Sequence, residues 1–320
     1  MCARLLNVMS PGVRVLAVLM MLLPVPGVAG QRKPPVFPVG LDVVNVVVTA
    51  RDEQGGLVTD LRAEDFAVFE NGRPQQIVLF GRAHDVGNDD VLSLDLGMLF
   101  DTSQSMLDQL KLTKEAAVRF LDSVPRAREL FTIFFDQDIR ISRYDSENQQ
   151  GLFERIADAE GGGQTALYDA ITVYLSRVQG TPGRKAMVMF TDGEDSMSEI
   201  TQGAVLDLVR SGSVTIYPIA FLGSFTPGGE RVRSCRAFLT QVAESSGGEL
   251  FAPVCSKDLS KAYDRILDEL GGQYVLGFSS DDLRHDGKFR KLKVELRRKD
   301  LKLRHRPGYV VPRDETLAAR

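Results

Sequence analysis

The chain has 320 residues, of which 43% are hydrophobic and 26% charged, with a formal net charge of -4. That balance describes an ordinary acidic globular protein and excludes nucleic-acid binding through bulk charge. No internal repeat or long low-complexity segment is visible. From the N-terminus, Arg4 and Arg14 flank the start of an apolar run over residues 13–23, followed by small residues and prolines up to Gln31. This order predicts a signal peptide over residues 1–30, cut after Ala29 or Gly30. The run is shorter than the roughly 20 apolar residues a membrane span requires. Losing Arg4 and Arg14 would take the net charge from -4 to about -6. No second stretch approaches spanning length, so the mature chain is expected to be soluble and exported, either periplasmic or secreted.

A Pro-rich linker over residues 31–40 comes next and should stay extended. Residues 41–87 then read as a small β unit: a Val-rich strand over 41–50, an alternating strand over 66–70, the two-residue hairpin signal Asn71-Gly72, and a return strand over 75–80. So small a unit needs a partner to fold. Over residues 88–271 strands and helices alternate. Strand candidates are 94–100, 130–135, 139–143, 186–191, 214–221 and 249–251, and helix candidates are 105–123, 148–159, 166–178, 200–211, 232–244 and 256–270. The predicted fold class is α/β, a doubly wound, mostly parallel six-stranded sheet covered on both faces. A hairpin at 136–138 would give it one antiparallel edge. The β pattern resumes over residues 272–312 and is expected to pack with the N-terminal unit as an accessory β-sandwich built from both chain ends, leaving 313–320 as a tail. Residues 284–306 are strongly basic. Their alternation reads as a strand with one solvated face, and the sharper alternative is a surface for an acidic partner or an anionic envelope.

The chemistry-bearing residues sit in three loops. Asp101-Thr102-Ser103-Gln104-Ser105 follows an apolar strand and supplies one carboxylate and two hydroxyls at alternate positions. Thr165 ends a Gly-rich stretch that begins at Gly161, and Asp192 lies in Phe190-Thr191-Asp192-Gly193 after another apolar strand. Oxygen ligands of this kind suit a hard divalent cation, because such ions prefer carboxylate, hydroxyl and water over sulfur and imidazole. With two charges among five ligands, a bound ion would stay net positive and attract an external anion. The bland alternative for the pentamer is a helix N-cap, with Ser105 or Asp101 holding orphan N–H groups. In an open α/β sheet ligands bind beyond the carboxyl ends of the strands where the strand order reverses, and Asp101, after the first central strand, and Asp192, at the end of the fourth, would fall there if those two strands flank the reversal. Ser105 is expected to open the first helix there, its dipole favouring an incoming carboxylate.

These residues resemble the metal-ion-dependent adhesion site of von Willebrand factor type A domains, whose signature is D-x-S-x-S, then a Thr, then an Asp. The flanking segments 46–58, 61–72, 165–171, 274–278 and 306–309 look like the bacterial von Willebrand factor A-related proteins abundant in Acidobacteria. Gln164 departs from the pattern, in which Gly would precede the Thr. The resemblance implies that Asp101, Ser103, Ser105, Thr165 and Asp192 hold a divalent cation, Mg²⁺ first and Mn²⁺ or Ca²⁺ as alternatives. It also implies a protein partner that presents Asp or Glu to the metal, in a recognition module with no enzyme activity. The loops at 194–197 and 223–230 would set specificity.

Cys235 and Cys255 remain after the signal peptide and form a disulfide candidate worth roughly 3 kcal/mol; the alternative is two separate thiols. Two other functional readings stay open. A metal-assisted hydrolase would use Asp108, Glu194 or Asp195 as base, although no G-x-S-x-G, H-E-x-x-H or P-loop is present. A structural envelope protein would carry a vestigial site.

Overall fold

The computed structural model describes residues 43–85, 92–124, 127–144, 149–224, 229–311 and 313. The expected signal peptide, the linker and residues 314–320 of the tail lie outside the described residues. The chain opens with β1 (Val43–Arg51), β2 (Phe66–Glu70), β3 (Arg73–Gln75) and β4 (Ile77–Arg82). Between β2 and β3 the backbone reverses at Asn71 (φ 48°) and Gly72 (φ 81°), the left-handed pair that a two-residue hairpin requires.

The α/β body follows: β5 (Leu94–Asp101), α1 (Leu107–Ser123), β6 (Glu129–Phe135), β7 (Ile139–Tyr144), α2 (Gln149–Ala157), α3 (Leu167–Val178), β8 (Arg184–Thr191), α4 (Gln202–Ser211), β9 (Val214–Ala220), α5 (Glu230–Ser246) and α6 (Ser256–Gly272). Its sheet has the order β7-β6-β5-β8-β9, parallel except for the β6–β7 hairpin. Every residue of β5 and β8 is buried, as befits central strands covered on both faces. Helices α1, α2 and α6 pack one face through Phe120, Ile156 and Ile266. Helices α3, α4 and α5 pack the other through Ile171, Val205 and Leu239.

The expected sixth strand at 249–251 is corrected to a single parallel bridge, Ile219 to Phe251, beside a five-stranded sheet. Phe251 exchanges two backbone hydrogen bonds with β9, to Pro218 at 2.9 Å and from Ala220 at 2.7 Å. Pro253 then offers no N–H to continue the ladder.

Strands β10 (Tyr274–Ser279), β11 (Phe289–Leu296), β12 (Lys302–Arg304) and β13 (Gly308–Val310) complete the chain. They combine with the N-terminal strands in two antiparallel sheets, β12-β1-β10-β4 and β13-β11-β2-β3. Each sheet therefore contains both chain ends, and Val46, Val48, Tyr274 and Leu276 of one pack against Phe66, Val68, Leu292 and Val294 of the other. This sandwich is fastened to the α/β body by polar contacts. Glu269 of α6, with its side chain fully buried, accepts from Arg51 at 2.7 Å and also pairs with Arg304. Arg306 donates to the Gly212 and Asn45 carbonyls, each at 2.9 Å. No described helix is long and apolar enough to cross a membrane.

Candidate functional site

The two carboxylates meet because the sheet brings them together. The chain leaves β5 toward β6 on one side, and β8 lies on the other, so the C-terminal ends of β5 and β8 flank the reversal in strand order. Asp101 ends β5 and Asp192 follows β8, and both are buried. The Asp101 Oδ1 accepts from the Ser103 N–H at 3.0 Å and from Ser103 Oγ at 2.5 Å, while its Oδ2 accepts from Thr191 Oγ1 at 2.7 Å. Ser103 Oγ lies 3.2 Å from Ser105 Oγ. The Asp192 Oδ1 accepts from the Glu194 N–H at 3.0 Å, whereas its Oδ2 is buried and has no hydrogen-bond partner within 3.5 Å among the described residues.

The expectation that Ser105 opens the first helix is corrected. Ser105 lies inside a single 3-10 turn, Gln104–Met106, and α1 begins at Leu107. Neither that turn nor α1 has a side-chain cap. Ser103 occupies the position where a capping hydroxyl would serve, yet it turns to Asp101 instead. Hydroxyls are thus gathered around a buried carboxylate rather than spent on helix N–H groups.

Thr165 is buried and is positioned through its backbone. Its N–H donates to Ser196 Oγ at 2.9 Å, and its carbonyl accepts from the N–H groups of Ser196 (2.9 Å) and Met197 (3.1 Å). The glycine-rich loop before it is tied to the Asp101 loop, Gly162 N–H to Thr102 O at 2.7 Å and Gln104 N–H to Gly163 O at 3.1 Å. All three loops are therefore adjacent, with Asp101, Ser103 and Ser105 in one hydrogen-bonded chain. The Thr165 hydroxyl makes no hydrogen bond to the other four residues.

Electrostatics at this point are unfavourable without a cation. Burial pushes the Asp101 carboxyl up to about 7, the negative charge of Asp192 adds to the rise, and the Ser103 and Thr191 hydrogen bonds oppose it. Burial also raises Asp192, against the help of Ser105 and the Arg231 guanidinium. Among the described residues no group of three or more His, Cys, Asp or Glu side chains is placed to hold a metal. Any ion here would depend on hydroxyls and water besides the two carboxylates, the donor set of a hard cation. The orphaned Asp192 oxygen and the raised Asp101 fit such an ion.

Several supporting residues are invisible to motif reading. Thr191 holds Asp101 from across the sheet. Thr102 and Arg140 both donate to Asp136 at the end of β6. Burial alone would raise the Asp136 carboxyl, but its bonds with Arg140, the Asp138 N–H and Thr102 hold it below the usual range. The Glu194 side chain forms an ion pair with Arg231 on the first turn of α5. Only the Thr-Asp-Gly context of Thr191 was available as a signal in the sequence.

In this structure Cys235 and Cys255 are not bonded to each other. Cys235 is buried within α5 facing the β8 loop, whereas Cys255 is exposed at the N-cap of α6 and donates to Asp258 at 3.3 Å.

The mostly parallel sheet, its strand order and the loops at its C-terminal edge define an open, doubly wound α/β domain, an architecture in which ligands bind where the strand order reverses. The chain belongs to the von Willebrand factor type A domain family, which matches residues 95–261. Among solved structures it is similar to an aerotolerance-related membrane protein from Bacteroides fragilis NCTC 9343, crystallised with multiple mutations to serines. That likeness has 18% identity and a TM-score of 0.45, and covers 56% of this chain and 98% of that one. It is also similar to the conserved hypothetical protein BatB from Bacteroides thetaiotaomicron, at 16% identity and TM-score 0.43 over 55% of this chain and 98% of that one. A von Willebrand factor type A protein from Catenulispora acidiphila is similar at 10% identity and TM-score 0.47, over 89% of this chain and 78% of that one. Comparison with curated proteins finds no match.

Proposed function

We propose that this chain is an exported, non-enzymatic recognition module that binds an acidic side chain of a partner protein through a divalent cation. Domains of this family generally mediate protein–protein interaction, and the finer reading concerns how this one does so. Asp101, Ser103, Ser105, Thr165 and Asp192 would hold the ion, Mg²⁺ first and Mn²⁺ or Ca²⁺ as alternatives. When bound, the ion supplies an electrophilic position open to a carboxylate. The observation that carries the reading is the diversion of the Ser103 hydroxyl from helix capping to the buried Asp101, beside the unpartnered Asp192 oxygen.

Of the three bases a hydrolase could use, Asp108 is exposed on the first turn of α1, while the other two are otherwise engaged. Asp195 accepts from the Tyr168 N–H and Ser198 Oγ, Glu194 pairs with Arg231, and His305 Nε2 accepts from the Val294 N–H inside the sandwich. Export and envelope association rest on the N-terminal sequence pattern. The thermal midpoint of EDTA-treated protein against added Mg²⁺, Mn²⁺ and Ca²⁺ tests the reading. An ion at about 100 times its dissociation constant stabilises by about 2.7 kcal/mol, and Asp101→Ala and Ser103→Ala should each abolish that gain. No shift with any ion, in folded protein, would sink the metal-dependent mechanism.

A further inference from the structure

A groove of about 360 Å³ opens between α1, the end of β9 and the start of α5. Its apolar lining includes Leu112, Phe221, Val232 and Val254, and its polar rim includes Gln109 and Arg236. Val254 is 91% exposed, more than any other large hydrophobic residue described, with Leu283 next at 76%. A β-branched aliphatic so placed, beside an apolar cleft, gains free energy when a partner covers both. The first two turns of α5 wall this groove with Val232 and Arg236, and the same turns supply Arg231, whose charge reaches Asp192. Groove and crevice therefore share one wall at the C-terminal edge of the sheet.

That wall is basic. Arg231, Arg233 and Arg236 are all exposed, against the single acid Glu230 in the same turns. Arg231 uses its Nε and Nη2 for Glu194, and its side chain remains 71% exposed. Arg236 has no ion-pair partner among the described residues. These guanidiniums lie on the end of α5 where the helix dipole adds positive potential.

We propose that the surface beside the crevice recognises a peptide segment of a partner protein in which the metal-seeking acid is accompanied by a bulky aliphatic or aromatic residue and a second acid. The bulky side chain fills the groove over Val254, and the second carboxylate pairs with Arg236. Charge complementarity favours this occupant, because a cationic segment would be repelled by Arg236 and an uncharged one would leave that guanidinium unanswered. The inference rests on the metal-dependent reading above and adds the chemistry of the partner to it.

Selection of a displayed random-peptide library on the full exported chain in Mg²⁺, with elution by EDTA, tests it. Two variants outside the metal site read the groove separately. Gly223 lines it, and among the described residues a Cβ there meets nothing within 4 Å, so Gly223→Leu is the variant chosen to fill the space. Arg236→Glu reverses the rim charge at an exposed position. Eluted peptides should pair an acid with a bulky apolar residue and a further acid, and each variant should weaken the selected peptides by about tenfold while leaving their EDTA sensitivity intact. EDTA-sensitive peptides that carry only a lone acid, or that bind both variants as tightly as the parent, would overturn this proposal and leave the metal-dependent reading standing. Recovery of no EDTA-sensitive peptide would overturn both.

Discussion

Asp101→Asn should stabilise the metal-free protein, and by more as the pH rises. The carboxyl is almost fully buried, near a second carboxyl, and its pKa is raised from 3.8 to about 7. A folded-state value above the unfolded one means the folded chain holds the proton more tightly. Stability is then greatest below pH 4 and is lost as the pH rises toward 7. That difference between the unfolded and folded carboxyl corresponds to about 4 kcal/mol at pH 8, and to about 2 kcal/mol at pH 5, where the folded carboxyl is still protonated. Asparagine mimics the protonated form. Its oxygen still accepts from the Ser103 N–H and Oγ, and its amide donates to Thr191 Oγ1, which already accepts from the Gly193 N–H. In EDTA, urea unfolding at pH 5, 7 and 8 should show the variant above the parent with a gap that widens with pH. Adding Mg²⁺ should raise only the parent. A variant less stable than the parent at every pH, or a gap independent of pH, would refute the argument that an uncompensated buried charge sits at this crevice.

Three further outcomes follow from the packing. Gly97→Ala would place a Cβ 2.3 Å from the Tyr174 ring, so it should cost about 3 kcal/mol in chemical unfolding, and adding Tyr174→Leu should recover part of the loss. Glu269→Ala leaves the Arg51 and Arg304 guanidiniums without their shared carboxylate at the join between sandwich and α/β body; a loss of about 3 kcal/mol is expected, and a loss under about 1 kcal/mol would show the join lies elsewhere. Of Cys235 and Cys255, only the exposed Cys255 should react with a thiol reagent in folded protein, with Cys235 reacting after denaturation; a disulfide-linked peptide in the digest would contradict both.

The elements legible in the sequence were those with strong local causes. The apolar runs of β5 and β8 are continuous because both faces are buried, and Asn71-Gly72 marks its turn through the backbone conformation it permits. The three loops of the candidate site were legible as well, since each follows a glycine-rich stretch or an apolar strand. What escaped depended on partners distant in the chain. Residues 249–251 look like a strand, but Pro253 and the tight Gly247-Gly248 exit from α5 leave room for one bridge. Strand β13 is three residues long and forms only because β11 lies beside it. Ser105 was expected to begin a helix because its hydroxyl suits an N-cap, and the competing attraction of the Asp101 cluster appears only once β5 and β8 are adjacent. The pairing of Glu194 with Arg231 spans 37 residues and has no local signature.

The central claim, a hard cation with an open coordination position between the β5 and β8 loops, is tested most directly with Mn²⁺ as the probe ion. Titration of the EDTA-stripped chain followed by electron paramagnetic resonance counts bound ions, and water-proton relaxation reports whether the bound ion keeps exchangeable water. The account predicts one site per chain that Asp101→Ala removes, with relaxation enhancement that falls when an acidic peptide is added. Mn²⁺ that stays free, or binding that survives Asp101→Ala and Asp192→Ala, would contradict it.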